Sequence, residues 1–121
     1  MKNKILKLIS NTNDLSLTAF KNRIPEIIGD CDFHFPAKGI ENTNILLISG
    51  VNKEFISVLN ELITTEVLTF EPCSFFVVNS DGGEVYDVPI VQSQKMSYKT
   101  LHWLPLLMKK GKNFKQTLTA N

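Results

Sequence analysis

Four side chains that could bind a metal ion are spread along the chain. Cys31 and His34 have the spacing of one half of a zinc site, and Cys73 and His102 could complete a Cys2His2 set. Structural zinc sites usually receive their four ligands as two close pairs. Because Cys73 and His102 are 29 positions apart, the sequence predicts no metal site and no cofactor, and favours ordinary thiols and histidines.

Ser49 and Gly50, between a predicted strand and a predicted helix, suggest two other kinds of site. A nucleophile elbow has glycines on both sides of the serine, where this chain has Leu47 and Val51. Free amides at a helix N-terminus attract phosphate, but Glu54 would already compensate the helix dipole there. Neither pattern is complete, so we expect no catalytic residue at this turn.

Two further groups could bind a calcium ion or transfer protons. Asn79, Asp81 and Glu84 surround two glycines, but a calcium loop needs more oxygen ligands at fixed positions, and a hairpin turn explains all of them. His102 could act as a general acid or base, yet residues 95–121 contain no carboxylate that would orient its ring. These patterns favour a protein that is not an enzyme.

Charge is distributed unevenly along a chain whose net charge is only +1. Residues 1–13 and 95–121 carry lysines and no acidic residue, whereas the body between them is acidic. Lysines neutralise phosphates and exposed aromatic rings stack on bases, so the basic segment near the C-terminus is a candidate nucleic-acid surface. The alternative is that the lysines form a solvated tail or pair with the acidic body, while the tryptophan lies in the core. The candidate residues are Lys99, Trp103, Lys109, Lys110, Lys112 and Lys115.

Hydrophobic periodicity predicts the elements of the first half of the chain. We expect a helix over residues 2–10 and a second helix from residue 15 or 16 to Ile24, where Pro25 ends or kinks it. A further helical turn follows at residues 26–28. Residues 31–35 form a short extended piece that could pair at the edge of a sheet.

The second half begins with the clearest elements. Residues 45–48 form a continuous apolar run and are predicted as a buried strand. Asn52 can cap a helix that runs to about residue 66, with apolar residues at helical spacing. A short strand over residues 67–70 precedes Pro72.

Residues 74–91 are predicted to form a β-hairpin. Residues 74–79 are rich in aromatic and β-branched side chains, and Asp81-Gly82-Gly83 supplies a tight turn. The returning strand contains Pro89, which places it at a sheet edge. An open edge can pair with another chain, so these residues are a candidate protein interface: Glu84, Tyr86, Val88 and Ile90.

These elements predict one α+β domain over residues 1–121, with a small, mostly antiparallel sheet packed by two or three helices. Residues 98–108 are interrupted by Pro105, so we expect an extended segment or a short helix laid over the core. The basic tail is expected to fray from about residue 116.

The order of elements from residue 52 to residue 91 resembles the last helix and the wing of a winged-helix domain, and residues 16–24 are similar to an earlier helix of such a unit. The resemblance implies a DNA-binding or protein-docking module. Glu54 and Glu61 lie on the polar face of the helix, where they would repel phosphates. About 20 residues also separate the two helices, where a helix-turn-helix has 3 or 4. Protein contacts are therefore favoured, or DNA contacts through the basic termini.

Taken together, the sequence predicts a non-catalytic intracellular protein-binding or adaptor module that contacts a protein partner or a second copy of itself. The alternative is a DNA-associated accessory or regulatory protein that contacts phosphates through its lysine-rich termini. The longest apolar run, residues 103–108, is too short to cross a membrane, so no membrane partner is expected. Two widely spaced cysteines favour a reducing compartment, the cytoplasm.

Overall fold

The computed structural model describes residues 1–12, 14–35, 44–92 and 98–114, which form helices and two three-stranded sheets around one core. The α+β class and the mostly antiparallel strand pairing are confirmed. The strands are divided between two sheets, where the sequence predicted one. The elements are α1 (Lys2–Thr12), β1 (Leu15–Ser16), α2 (Phe20–Arg23), β2 (Ile28–His34), β3 (Ile45–Val51), α3 (Lys53–Thr64), β4 (Leu68–Pro72), α4 (Phe75–Ser80), β5 (His102–Trp103) and β6 (Leu106–Lys110).

The two sheets share one extended stretch of chain. The first sheet has the order β1-β6-β4 and is antiparallel, and the second has the order β2-β3-β5, with β5 parallel to β3. Between β5 and β6, the Leu104 amide donates to the Leu46 carbonyl and the Pro105 carbonyl accepts from the Cys73 amide, each at 3.0 Å. The chain thus leaves one sheet and enters the other within two residues, which confirms the extended segment predicted around Pro105.

Helix α3 begins and ends close to the predicted residues. The Asn52 side chain accepts a hydrogen bond from the Phe55 amide at 2.8 Å, which satisfies one of the free amides of the first turn. Phe55, Leu59 and Leu62 point into the core. The helix ends at Thr64, two residues earlier than predicted, and Glu66 then takes a positive φ of 61°.

The helix predicted from residue 15 to Ile24 is largely wrong. Leu15 and Ser16 form a short strand that pairs with β6, and a 3-10 turn at Leu17–Ala19 leads into the four-residue α2. The Ser16 amide donates to the Asp81 carboxylate at 2.9 Å, a tertiary contact that competes with the helical bond. The predicted end at Ile24 before Pro25, the following helical turn and the edge strand β2 are confirmed.

The predicted hairpin over residues 74–91 is wrong. Residues 75–80 form α4, and residues 84–89 form no strand. Gly82, at a φ of 79°, donates to the Asn79 carbonyl at 3.2 Å, and Gly83 donates to the Val78 carbonyl at 2.9 Å. These two bonds are the Schellman motif that ends a helix. Gly82 thus provides the positive φ that the sequence indicated, but as part of a helix cap.

Candidate functional site

Three consecutive exposed apolar side chains lie on α4. Phe75, Phe76 and Val77 are 42%, 70% and 36% exposed, and the two phenyl rings stack with centroids 4.2 Å apart. We call these three residues the aromatic knob. Adjacent exposed aromatic rings are uncommon on a surface that meets only water, and they are typical of interaction sites.

Helix α4 is fastened to the body at its C-terminal end. Val78 is 1% exposed, and the Asp81 carboxylate accepts from the Ser16 amide. Asn22 donates to the Gly82 carbonyl, and the Thr18 hydroxyl donates to the Glu84 carbonyl at 2.9 Å. These contacts hold the helix in place while its first turn projects the aromatic knob into solvent.

Sequence reasoning missed this knob because the aromatic and β-branched residues favoured a strand. Two signals could have identified a helix. Phe75 and Phe76 are adjacent and do not alternate with polar residues, as a half-buried strand would require. Asp81-Gly82-Gly83 is also as good a helix C-cap as it is a hairpin turn.

The four residues predicted as an edge-strand interface do not form one. Glu84 and Tyr86 point towards the body, and Val88 is half-buried. Only the chain around Ile90 lies at a sheet edge, because the Pro89 carbonyl accepts from the Trp103 amide and the Val91 amide donates to the Trp103 carbonyl, each at 2.9 Å. Ile90 itself is 36% exposed. Because residues 75–80 form a helix, they do not provide the predicted partner strand, and the edge is reduced to this single bridge.

A polar network joins the loop after α4 to β3. Lys21 donates to the Glu84 carboxylate and to the Ser49 carbonyl, both at 2.8 Å. The Tyr86 hydroxyl lies 3.0 Å from the same carboxylate and accepts from the Ser49 amide at 2.9 Å. Burial, reinforced by the negative charge of Glu84, raises the pKa of Tyr86 well above its ordinary value, while a hydrogen bond to the Ser49 backbone acts against the shift. The side chains of Lys21, Glu84 and Tyr86 thus bond to one another or to the Ser49 backbone. The network therefore holds the loop after α4 against β3.

The turn at Ser49 and Gly50 does not fit an anion site. The Asp32 carboxylate accepts from the Ser49 hydroxyl at 2.6 Å and lies 3.4 Å from the Gly50 amide. A negative group already occupies the donors that a phosphate would use, so like-charge repulsion would oppose binding. The Ser49 hydroxyl donates to a carboxylate and not to a histidine, which gives no support to a nucleophile.

The candidate nucleic-acid residues are dispersed or paired. Trp103 is 0% exposed and lies edge-on to Tyr86, so it cannot stack on a base, and that assignment is wrong. Lys109 lies 3.0 Å from Glu71 and 3.8 Å from Asp14, and the Glu71 carboxylate raises its pKa. Lys112 pairs with Glu66 at 2.9 Å, and Lys110 lies 5.6 Å from the Phe114 ring centroid. Lys99 is exposed, and Lys115 and the predicted tail lie outside the described residues.

The two cysteines and two histidines do not converge on a metal site. Among the described residues, no three His, Cys, Asp or Glu side chains are close enough to hold a metal ion. Cys31 and Cys73 are both free and half-buried. Burial, with the charges of Asp81 and Glu71, raises the pKa of the Cys73 thiol to about 11, so at neutral pH it stays protonated and is a poor nucleophile.

A separate apolar pocket of about 290 Å³ opens between α3, β4 and the second sheet. We call it the apolar pocket. Its wall is aromatic and aliphatic, with one amide and one hydroxyl contributed by α3. The described residues that line it are Phe33, Phe35, Leu47, Asn60, Ile63, Thr64 and Phe70.

Comparisons with protein-family models, with curated proteins and with solved structures found no match for this chain. The winged-helix resemblance therefore stays a prediction, and of its parts the helix α3 and the strand β4 are present. Within the described ranges, no helix is both long enough and apolar enough to cross a membrane.

Proposed function

We propose that this protein is a non-catalytic protein-binding module that docks through the aromatic knob. The observation that carries the proposal is the stacked, solvent-exposed pair of Phe75 and Phe76 on a helix that contains no charged residue. Leaving two such rings in water is unfavourable, because burying one aromatic side chain stabilises a complex by about 1.5–3 kcal/mol. A protein partner would supply that burial.

Preorganisation supports the same proposal. The C-terminal cap of α4 and the burial of Val78 fix the helix before any partner arrives. A docking element that is already ordered loses less conformational entropy on binding. The two free thiols of Cys31 and Cys73 favour a reducing compartment such as the cytoplasm as the place where the module works.

The test is affinity capture with chemical crosslinking, comparing the wild-type chain with the double variant Phe75→Ser, Phe76→Ser. We expect the wild type to retain a protein, either another species or a second copy, and the double variant to lose at least about ten-fold of it. The matched control is Ile28→Ser, which removes an exposed apolar side chain from β2 and leaves α4 intact.

A retained partner that is unaffected by the double variant would place the docking surface elsewhere and contradict the proposal. Equal losses in the double variant and in Ile28→Ser would point to non-specific apolar adhesion, and would contradict it too. Far-ultraviolet circular dichroism of each variant checks that the fold is retained.

A further inference from the structure

We infer that the aromatic knob of one copy inserts into the apolar pocket of a second copy, so that the chain associates with itself through two different surfaces. This inference rests on the proposed function of the knob and names its partner. None of the residues that line the apolar pocket belongs to α4, so each copy presents both a knob and an open receptor for one. Such a contact is heterologous, with unlike surfaces on the two copies.

The volume of the apolar pocket fits the two phenyl rings of the aromatic knob. A cavity of about 150 Å³ lined by apolar side chains is sufficient to hold one benzene ring. At about 290 Å³, the apolar pocket has room for two such rings. The knob presents two phenyl rings as one unit, because Phe75 and Phe76 are already stacked with their centroids 4.2 Å apart.

The electrostatic character of the two surfaces also corresponds. None of the described residues that line the pocket is charged, and no charged residue lies within α4. Inserting the knob therefore removes no charge from water, which is the desolvation cost that most often opposes a buried contact. Phe33, Phe35 and Phe70 in the wall can meet the incoming rings in offset or edge-to-face arrangements.

The small area of the contact limits the affinity of the association. Two phenylalanine side chains bury at most about 150–250 Å² each, whereas a stable dimer interface needs about 1,000 Å² or more in total. Phe75 and Phe76 are already partly covered, at 42% and 70% exposed, so the knob by itself falls below that size. We therefore expect weak association that becomes measurable between about 10 µM and 1 mM.

Two single-surface variants test the inference by complementation in sedimentation equilibrium. Phe75→Ser, Phe76→Ser removes the knob and keeps the pocket, whereas Thr64→Trp fills the pocket and keeps the knob. We expect the wild type to gain mass with concentration, and each variant alone to stay monomeric. Mixed in equal amounts, the two variants should form a one-to-one complex, because each supplies the surface that the other lacks.

Control variants and a second pocket variant keep this test decisive. Ser57→Trp adds the same indole to an exposed position of α3 that does not line the pocket, and should associate like the wild type. Asn60→Trp fills the pocket from a different position, and its agreement with Thr64→Trp shows that occlusion of the pocket is the cause.

A wild type that stays monomeric at 1 mM, or a mixture of the two variants that shows no complex, overturns the inference. If the wild type stays monomeric and the knob variant loses a different protein in affinity capture, the inference falls while the proposed function stands. If neither self-association nor a captured protein depends on the knob, both fall.

Discussion

Tyr86 shows how a residue predicted for one role takes another. The alternation of residues 84–90 placed it on an exposed strand, but in the structure its ring lies edge-on to Trp103, with centroids 5.2 Å apart, and its hydroxyl is bonded to Ser49 and Glu84. Ser49 lies 37 positions and Trp103 17 positions away from Tyr86 in sequence, and no local pattern reveals such contacts. The side chain therefore holds the loop after α4 against the body.

Replacing Tyr86 by phenylalanine should lower the free energy of unfolding by about 1 kcal/mol near neutral pH, because the Ser49 amide loses its acceptor. The pKa of Tyr86 is raised in the folded state, so the unfolded chain loses this proton first as pH rises. Stability due to Tyr86 is thus present below about pH 10 and declines above it.

Urea unfolding at several values of pH measures this effect. The wild type should lose stability more steeply than Tyr86→Phe above about pH 10, since the variant has no hydroxyl to ionise. Parallel curves for the two proteins over that range would contradict the burial of the hydroxyl.

At the scale of elements, α3 and α4 differ in how much the local sequence specifies them. Helix α3 has a broad apolar stripe, an N-cap at Asn52 and a C-cap at Thr65, whose amide donates to the Glu61 carbonyl. Its prediction is confirmed. Helix α4 has only six residues, and four of them favour strands. Within the described ranges, no strand lies beside residues 75–80 to accept their backbone hydrogen bonds, whereas a helix satisfies those bonds within the segment.

The Asn52 cap provides the prediction at this scale. Its side chain accepts from the Phe55 amide and donates to the Glu26 carbonyl at 2.7 Å, so it joins the helix start to the segment before β2. Asn52→Ala should destabilise the fold by about 1–2 kcal/mol, because both bonds are lost.

Comparison with Asn52→Asp separates the two bonds in chemical denaturation. Aspartate keeps the capping acceptor and loses the donor, so it should recover at least half of the loss. If Asn52→Ala unfolded at the wild-type midpoint, the cap would make no contribution to stability.

At the scale of the whole molecule, half of the described basic residues, five of ten, form ion pairs with the carboxylates of an acidic body. Lys2 pairs with Glu61, Lys4 with Glu26 and Lys109 with Glu71. Exposed pairs of this kind contribute only about 0–1 kcal/mol each, so a phosphate could compete for a single lysine. The carboxylates beside the lysines would, however, repel the rest of a nucleic-acid backbone.

We therefore expect weak binding to a short labelled DNA duplex in fluorescence anisotropy at low salt. Replacing Lys109, Lys110, Lys112 and Lys115 together by serine should change that binding little. Tight binding by the wild type, lost in this variant and falling with salt at a slope of about −0.9 for each phosphate contacted, would favour the DNA-associated alternative.

The sequence by itself determined the α+β class, the helices α1 and α3, the buried strand β3 and the stop before Pro25. Each of these depends on short-range periodicity, a cap or a proline, which act within a few residues. Only the tertiary structure decided the fate of Phe75 and Phe76, of Tyr86 and of Trp103. Whether an apolar segment becomes a strand depends on a neighbouring strand, and whether an aromatic ring is buried depends on distant segments that cover it. For that reason the candidate site moved from a predicted sheet edge to an exposed helix.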